Sequence, residues 1–136
     1  MLLSVREYAD RVRGSVWERE LVADLRNLPE AERLGFLQEL AAASPVVALS
    51  LASKSLDSRE SFESLLYQGL DDANSSSIRY WLECTVPRLG FRRVMVVLRS
   101  CASANPNRVR DAAYWLPSFE KVPGFSRSEL ATLGLN

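Results

Sequence analysis

Asn105-Pro106-Asn107-Arg108-Val109-Arg110-Asp111-Ala112-Ala113-Tyr114-Trp115-Leu116 is the stretch on which the fold turns. It reads as an Asn-Pro break followed by a helix over 107–118. An offset of 31 residues upstream brings back the same pattern in Asn74-Ser75-Ser76-Ser77-Ile78-Arg79, with Asn74 against Asn105, Ile78 against Val109 and Arg79 against Arg110. The same offset reaches back to Val47 and Val16, and it aligns Leu34, Leu65 and Val96 in the second helix of each unit. With one residue deleted, Pro87 meets Pro117 and Leu89 meets Phe119. Each unit is a helix, a tight break, a second helix and a polar loop. One such unit cannot cover its apolar face, whereas stacked units bury a continuous core.

Outward from this pair, apolar residues recur at helical spacing along the chain, and no run of five alternates as an exposed strand would. Helix starts are well marked. Ser4–Glu7, Ser15–Glu18, Asp57–Glu60 and Ser126–Glu129 have the spacing of a capping box, and Phe125 with Leu130 is placed as a hydrophobic staple. Pro29 and Pro45 suit a first helical turn, where the missing N–H costs nothing. These signals predict helices over 5–13, 16–27, 29–43, 45–55, 58–70, 76–89, 91–103, 107–118 and 126–133, joined by short connections that make neighbours antiparallel. Val94–Leu98 is rich in valine like a strand, but Phe91, Val94, Met95, Leu98 and Cys101 form a helical stripe, so the segment reads as helix.

On Asn105–Leu116, and less closely on Asn74–Ser100, the chain resembles the HEAT-like repeat family, whose units often read Asp/Asn-Pro-x-Val-Arg-x-Ala-Ala before an alanine-rich helix. Pro87 and Pro117 resemble the proline kink common in the first helix of that family. Residues 15–70 follow only the period and the apolar pattern. The resemblance implies an all-α fold: a short right-handed α-solenoid of about four antiparallel helical hairpins, one HEAT-like domain over 1–136. It also implies that the second helix of each hairpin lines a concave, partner-binding surface.

Composition sets the class. The 136 residues are 47% hydrophobic and 25% charged, which excludes a disordered tail, a collagen-like rod and a disulfide scaffold. Histidine is absent, so the commonest general base and metal ligand are both missing. Two cysteines, Cys84 and Cys101, do not make a zinc site and read as buried apolar residues. The start lacks the apolar core of a signal peptide, and no stretch approaches the ~20 apolar residues of a membrane span, so a cytoplasmic protein is expected. Formal charge is zero, but residues 1–77 carry 8 basic and 13 acidic groups (net −5) and residues 78–136 carry 9 basic and 4 acidic (net +5).

No catalytic signature is present: no phosphate-binding glycine loop, nucleophile elbow or metal-ligand pair. Asp71-Asp72 fits turn chemistry, and Glu30 with Glu32 fits the positive end of a helix. The aromatic pairs Tyr80-Trp81 and Tyr114-Trp115 suit inter-repeat packing, with base stacking as the competing use. Arg79 and Arg110 recur once per unit and fit a structural ladder. The candidate binding surface is Arg88, Arg92, Arg93, Arg99 and Arg108, where Arg92 and Arg99 lie seven residues apart on one helix side, facing away from Val94, Val97 and Leu98. Forked arginine donors suit carboxylates and phosphates equally. A solvated helix face and a GC-rich codon bias (15 of the 17 basic residues are arginine) explain the cluster without any ligand.

The expected function is a non-enzymatic protein-interaction module, an adaptor or inhibitor-like binder, with a protein partner, no cofactor and no membrane. Nucleic acid or a phosphorylated ligand on the arginine-rich second half is the alternative, weakened by a pI near 6.3. Polar terminal helices read as caps, so a monomer or weak dimer is expected.

Overall fold

The computed structural model describes residues 15–72 and 77–133, and among them every regular element is helical. The helices are α1 (Ser15–Arg26), α2 (Glu30–Ala43), α3 (Pro45–Ser55), α4 (Arg59–Asp71), α5 (Ile78–Leu89), α6 (Phe91–Cys101), α7 (Pro106–Trp115) and α8 (Arg127–Ala131), with a 3-10 turn at Leu116–Phe119. The helix expected over 5–13, with its Ser4–Glu7 box, lies outside the described residues. Contacts divide the chain into two compact units, 1–61 and 62–136.

In the first unit α3 is the central element, packed by both α1 and α2. Leu21 and Leu25 on α1, Leu37, Leu40 and Ala41 on α2, and Ala48, Leu49, Leu51 and Ala52 on α3 are buried, each set at i, i+3 or i+4 spacing. Pro45 occupies the first turn of α3 as expected, whereas Pro29 is the N-cap of α2. The capping residue of α4 is Ser58, one position later than the sequence spacing suggested. Its Oγ accepts from the Ser61 N–H at 3.1 Å. The glutamate that completes the cap is not Glu60 but Glu30 of α2, which accepts from the backbone N–H groups of Asp57 and Ser58 and from the Ser61 hydroxyl at 2.7 Å. Burial pushes the Glu30 carboxyl up, but the bonds from Ser61, Ser58 and Asp57 outweigh it, and the group stays below its ordinary value. Arg33 joins the same knot, donating to Leu28 O at 2.8 Å, Ser55 O at 3.0 Å and Asp57 Oδ2 at 3.1 Å.

In the second unit α5 packs against α6 and α7, and α6 against α7. The core holds Phe62, Leu65, Leu66, Leu70, Trp81, Leu82, Val86, Phe91, Val94, Met95, Val97, Leu98, Val109 and Ala112. Val94–Leu98 is helical, and the predicted stripe from Phe91 to Cys101 is buried. Trp81 is buried as its spacing implied. It donates from Nε1 to Ser77 Oγ at 3.2 Å, and its ring lies over Gly69 of α4, where an added Cβ would fall within 2.6 Å of the indole. Gly90, at φ +82°, ends α5 and opens α6 in a single residue. Ser126 caps α8 as expected, its Oγ accepting from the Glu129 N–H at 3.2 Å, while Phe125 packs edge-on to Phe91 at 5.0 Å.

Positions aligned at an offset of 31 differ in burial. Leu65 is buried but Val96 is 48% exposed. Helices α4 and α6 begin 32 residues apart, at Arg59 and Phe91, and a slip of one residue turns a helix position by about 100°.

Candidate functional site

Helix α6 presents Arg92, Arg93, Val96, Arg99 and Ser100 to solvent. This follows from its sequence, because Val94, Met95, Val97, Leu98 and Cys101 take the inward positions. Two cross-links tie the exposed side of α6 to α4. Arg93 grips Glu63 with two nitrogens, Nε at 3.0 Å and Nη2 at 2.6 Å. Tyr67 and Ser100 share a hydroxyl–hydroxyl bond at 3.0 Å. Val96 falls within one turn of both Arg93 and Ser100, so Tyr67 and Val96 make the exposed apolar part of a face whose polar groups are already fixed. The cross-linked residues are 30 and 33 positions apart in sequence. Arg99 donates to Thr132 Oγ1 at 3.1 Å, and the stem of Arg92 lies against the turn at Gly124.

Of the five candidate arginines, Arg92, Arg93 and Arg99 are thus exposed on α6. Arg88 belongs to α5, where its guanidinium stands 5.0 Å from the ring centre of Phe62. Arg108 is apart from them and buried, 8% exposed. Its Nη2 donates to Gly69 O at 2.8 Å, and its Nη1 lies 3.9 Å from Asp111 Oδ2. Nε and Nη1 have no hydrogen-bond partner among the described residues. Beside it opens a cleft of about 520 Å³, lined by Asp71, Asp72, Asn105, Asn107, Arg108 and Asp111 among others. Among the described residues no three acidic or cysteine side chains are grouped to hold a metal ion, and no helix is long and apolar enough to cross a membrane.

Sequence reading found the arginines of α6 but not Glu63, Tyr67, Val96 and Ser100 as their neighbours. The available signal was the pair of opposite charges, Glu63 and Arg93, 30 residues apart on successive predicted hairpins. The aromatic pairs divide: Trp81 is core, while Tyr80 and Tyr114 are exposed. No family model, no curated protein and no solved structure matches this chain.

Proposed function

We propose that this chain is a non-enzymatic protein-interaction module, a short HEAT-like α-solenoid whose α4–α6 face seats a partner protein. One observation carries the reading: Tyr67 and Val96 stand exposed between polar groups that are already locked by Glu63–Arg93 and Tyr67–Ser100 bonds. An apolar centre with a polar rim is the anatomy of a protein interface, and side chains fixed beforehand lose little entropy on binding. The repeat reading draws support from bonds at near-period separation in both units: Arg26 with Asp57 and Glu30 with Ser61 at 31, Glu63 with Arg93 at 30, Arg99 with Thr132 at 33. Contacts limited to neighbouring units are what a solenoid requires.

The test is partner capture from the source cell extract with wild type, Arg92→Glu/Arg99→Glu and Val96→Asp, each checked for fold by circular dichroism. Loss of the captured protein in both variants, with capture surviving high salt, is the expected result. Unchanged capture by the variants refutes the α4–α6 face. Capture of nucleic acid that weakens steeply with salt, as counterion release dictates, replaces the protein-partner reading with the alternative one.

A further inference from the structure

A second exposed face, unused by the reading above, lies on α5 and α7. Tyr114 is 76% exposed, the most of any large hydrophobic residue among those described. Its ring meets Trp115 edge-on at 5.4 Å. Arg79 reaches across from α5, its guanidinium 5.4 Å from the centre of the Tyr80 ring and 5.5 Å from that of Trp115, while Glu83 holds its Nε at 3.1 Å. The rings and Arg79 are therefore fixed in place. Arg110, one turn before Tyr114, is exposed and has neither an ion pair nor a hydrogen bond from its side chain to another described residue. Tyr, Trp and Arg are the residue types that dominate binding energy at protein interfaces.

The chain itself carries the complement. Residues 1–77 have net charge −5 and residues 78–136 net +5. In the first unit the outer stripe of α2 shows Ala31, Glu32, Gly35, Glu39 and Ala42 to solvent. Glu32 and Glu39 are exposed, two turns apart, and pair with no described residue. Between them, the space around Gly35 is open. We propose that the α5–α7 aromatic face of one copy docks the α2 stripe of a second copy, with Arg110 against the Glu32/Glu39 pair and Tyr114 over the small residues between. Zero net charge removes the long-range repulsion that keeps most small proteins apart. The two surfaces differ, so the contact is heterologous, and copies joined by it form a closed ring or an open chain.

Sedimentation velocity over a concentration series, at low and high salt, tests this with the full chain. Wild type is expected to give a mass that rises with concentration above that of the monomer, and less so in high salt, where rim charges are screened. Arg110→Glu alone and Glu39→Arg alone are each expected to stay monomeric. Their equimolar mixture sets an intact face against an intact stripe and the two reversed charges against each other, and is expected to regain assembly. Tyr114→Ser, at a side chain too exposed to hold the fold, is expected to lose assembly and serves where a charge variant misfolds by circular dichroism. A wild type that stays monomeric throughout overturns the proposal, as does assembly that survives Arg110→Glu, Glu39→Arg or Tyr114→Ser unchanged.

Discussion

Gly69 shows how one residue is tied to one neighbour. Inside a helix glycine costs about 1 kcal/mol relative to alanine, yet here an alanine Cβ would stand 2.6 Å from the Trp81 indole, which is buried and held by Ser77. Gly69→Ala is expected to destabilise by about 1–3 kcal/mol despite its better propensity, read as a lower urea midpoint. Glu30 gives a pH-dependent counterpart. Its folded pKa lies below the ordinary value of 4.5, so the ionised carboxylate stabilises the fold above that value, and the contribution is lost as pH falls through the folded pKa. Glu30→Gln is expected to cost about 1–2 kcal/mol at neutral pH, because donors on Ser58 and Ser61 lose a charged acceptor. The gap between variant and wild type should narrow below the ordinary pKa and close as pH falls through the folded one, which paired denaturation curves from neutral to acid pH will show. Arg108 is a buried cation with one hydrogen bond and a long ion pair. Arg108→Met is therefore expected to be neutral or stabilising, whereas Asp111→Ala, which strips the nearest counter-charge, is expected to cost about 1 kcal/mol. Equal losses in both would mean that Arg108 is a net stabiliser.

At the scale of elements, the junctions decide more than the helices do. Gly90 has φ +82° and ψ 157°, a region essentially closed to side-chain-bearing residues. That conformation ends α5 and starts α6 with no loop, and the following Phe91 N–H donates to Pro123 O at 3.2 Å. Gly90→Ala is expected to cost about 1–3 kcal/mol, with raised amide exchange concentrated in α6. The α4 cap works differently, since its glutamate comes from α2, 28 residues before Ser58. Ser58→Ala is expected to cost about 1 kcal/mol, and less when introduced on top of Glu30→Gln. A double-mutant cycle measures that coupling, and additive losses would show that the two side chains act separately.

For the molecule as a whole, charge and contact range are the governing quantities. The bonds described between helices join residues 22 to 39 apart in a chain of 136. Helical chains held by such local contacts fold in about milliseconds or less, and stopped-flow refolding should show it. A refolding phase of seconds would imply long-range pairing at odds with this contact pattern. Opposite charge on the two parts of the sequence makes the chain its own electrostatic complement, and association should be strongest near the pI of about 6.3, where net charge vanishes.

Periodicity together with capping signals placed the described helices, including α6 through the valine run at Val94–Leu98, because burying one stripe of a helix requires spacing that a strand cannot satisfy. It also assigned Trp81 to the core and left Arg92 and Arg99 outside, since both follow from helix phase. What it could not supply was any partner contributed by another helix. Glu30 rather than Glu60 completes the α4 cap, Arg108 is buried against Gly69 rather than exposed with the other arginines, and Val96 faces solvent where Leu65 does not. Phase is local, set by residues a few positions apart, whereas these outcomes depend on how far one helix is shifted along and around its neighbour. A shift of one residue rotates a side chain by about 100°, and only tertiary packing fixes that shift.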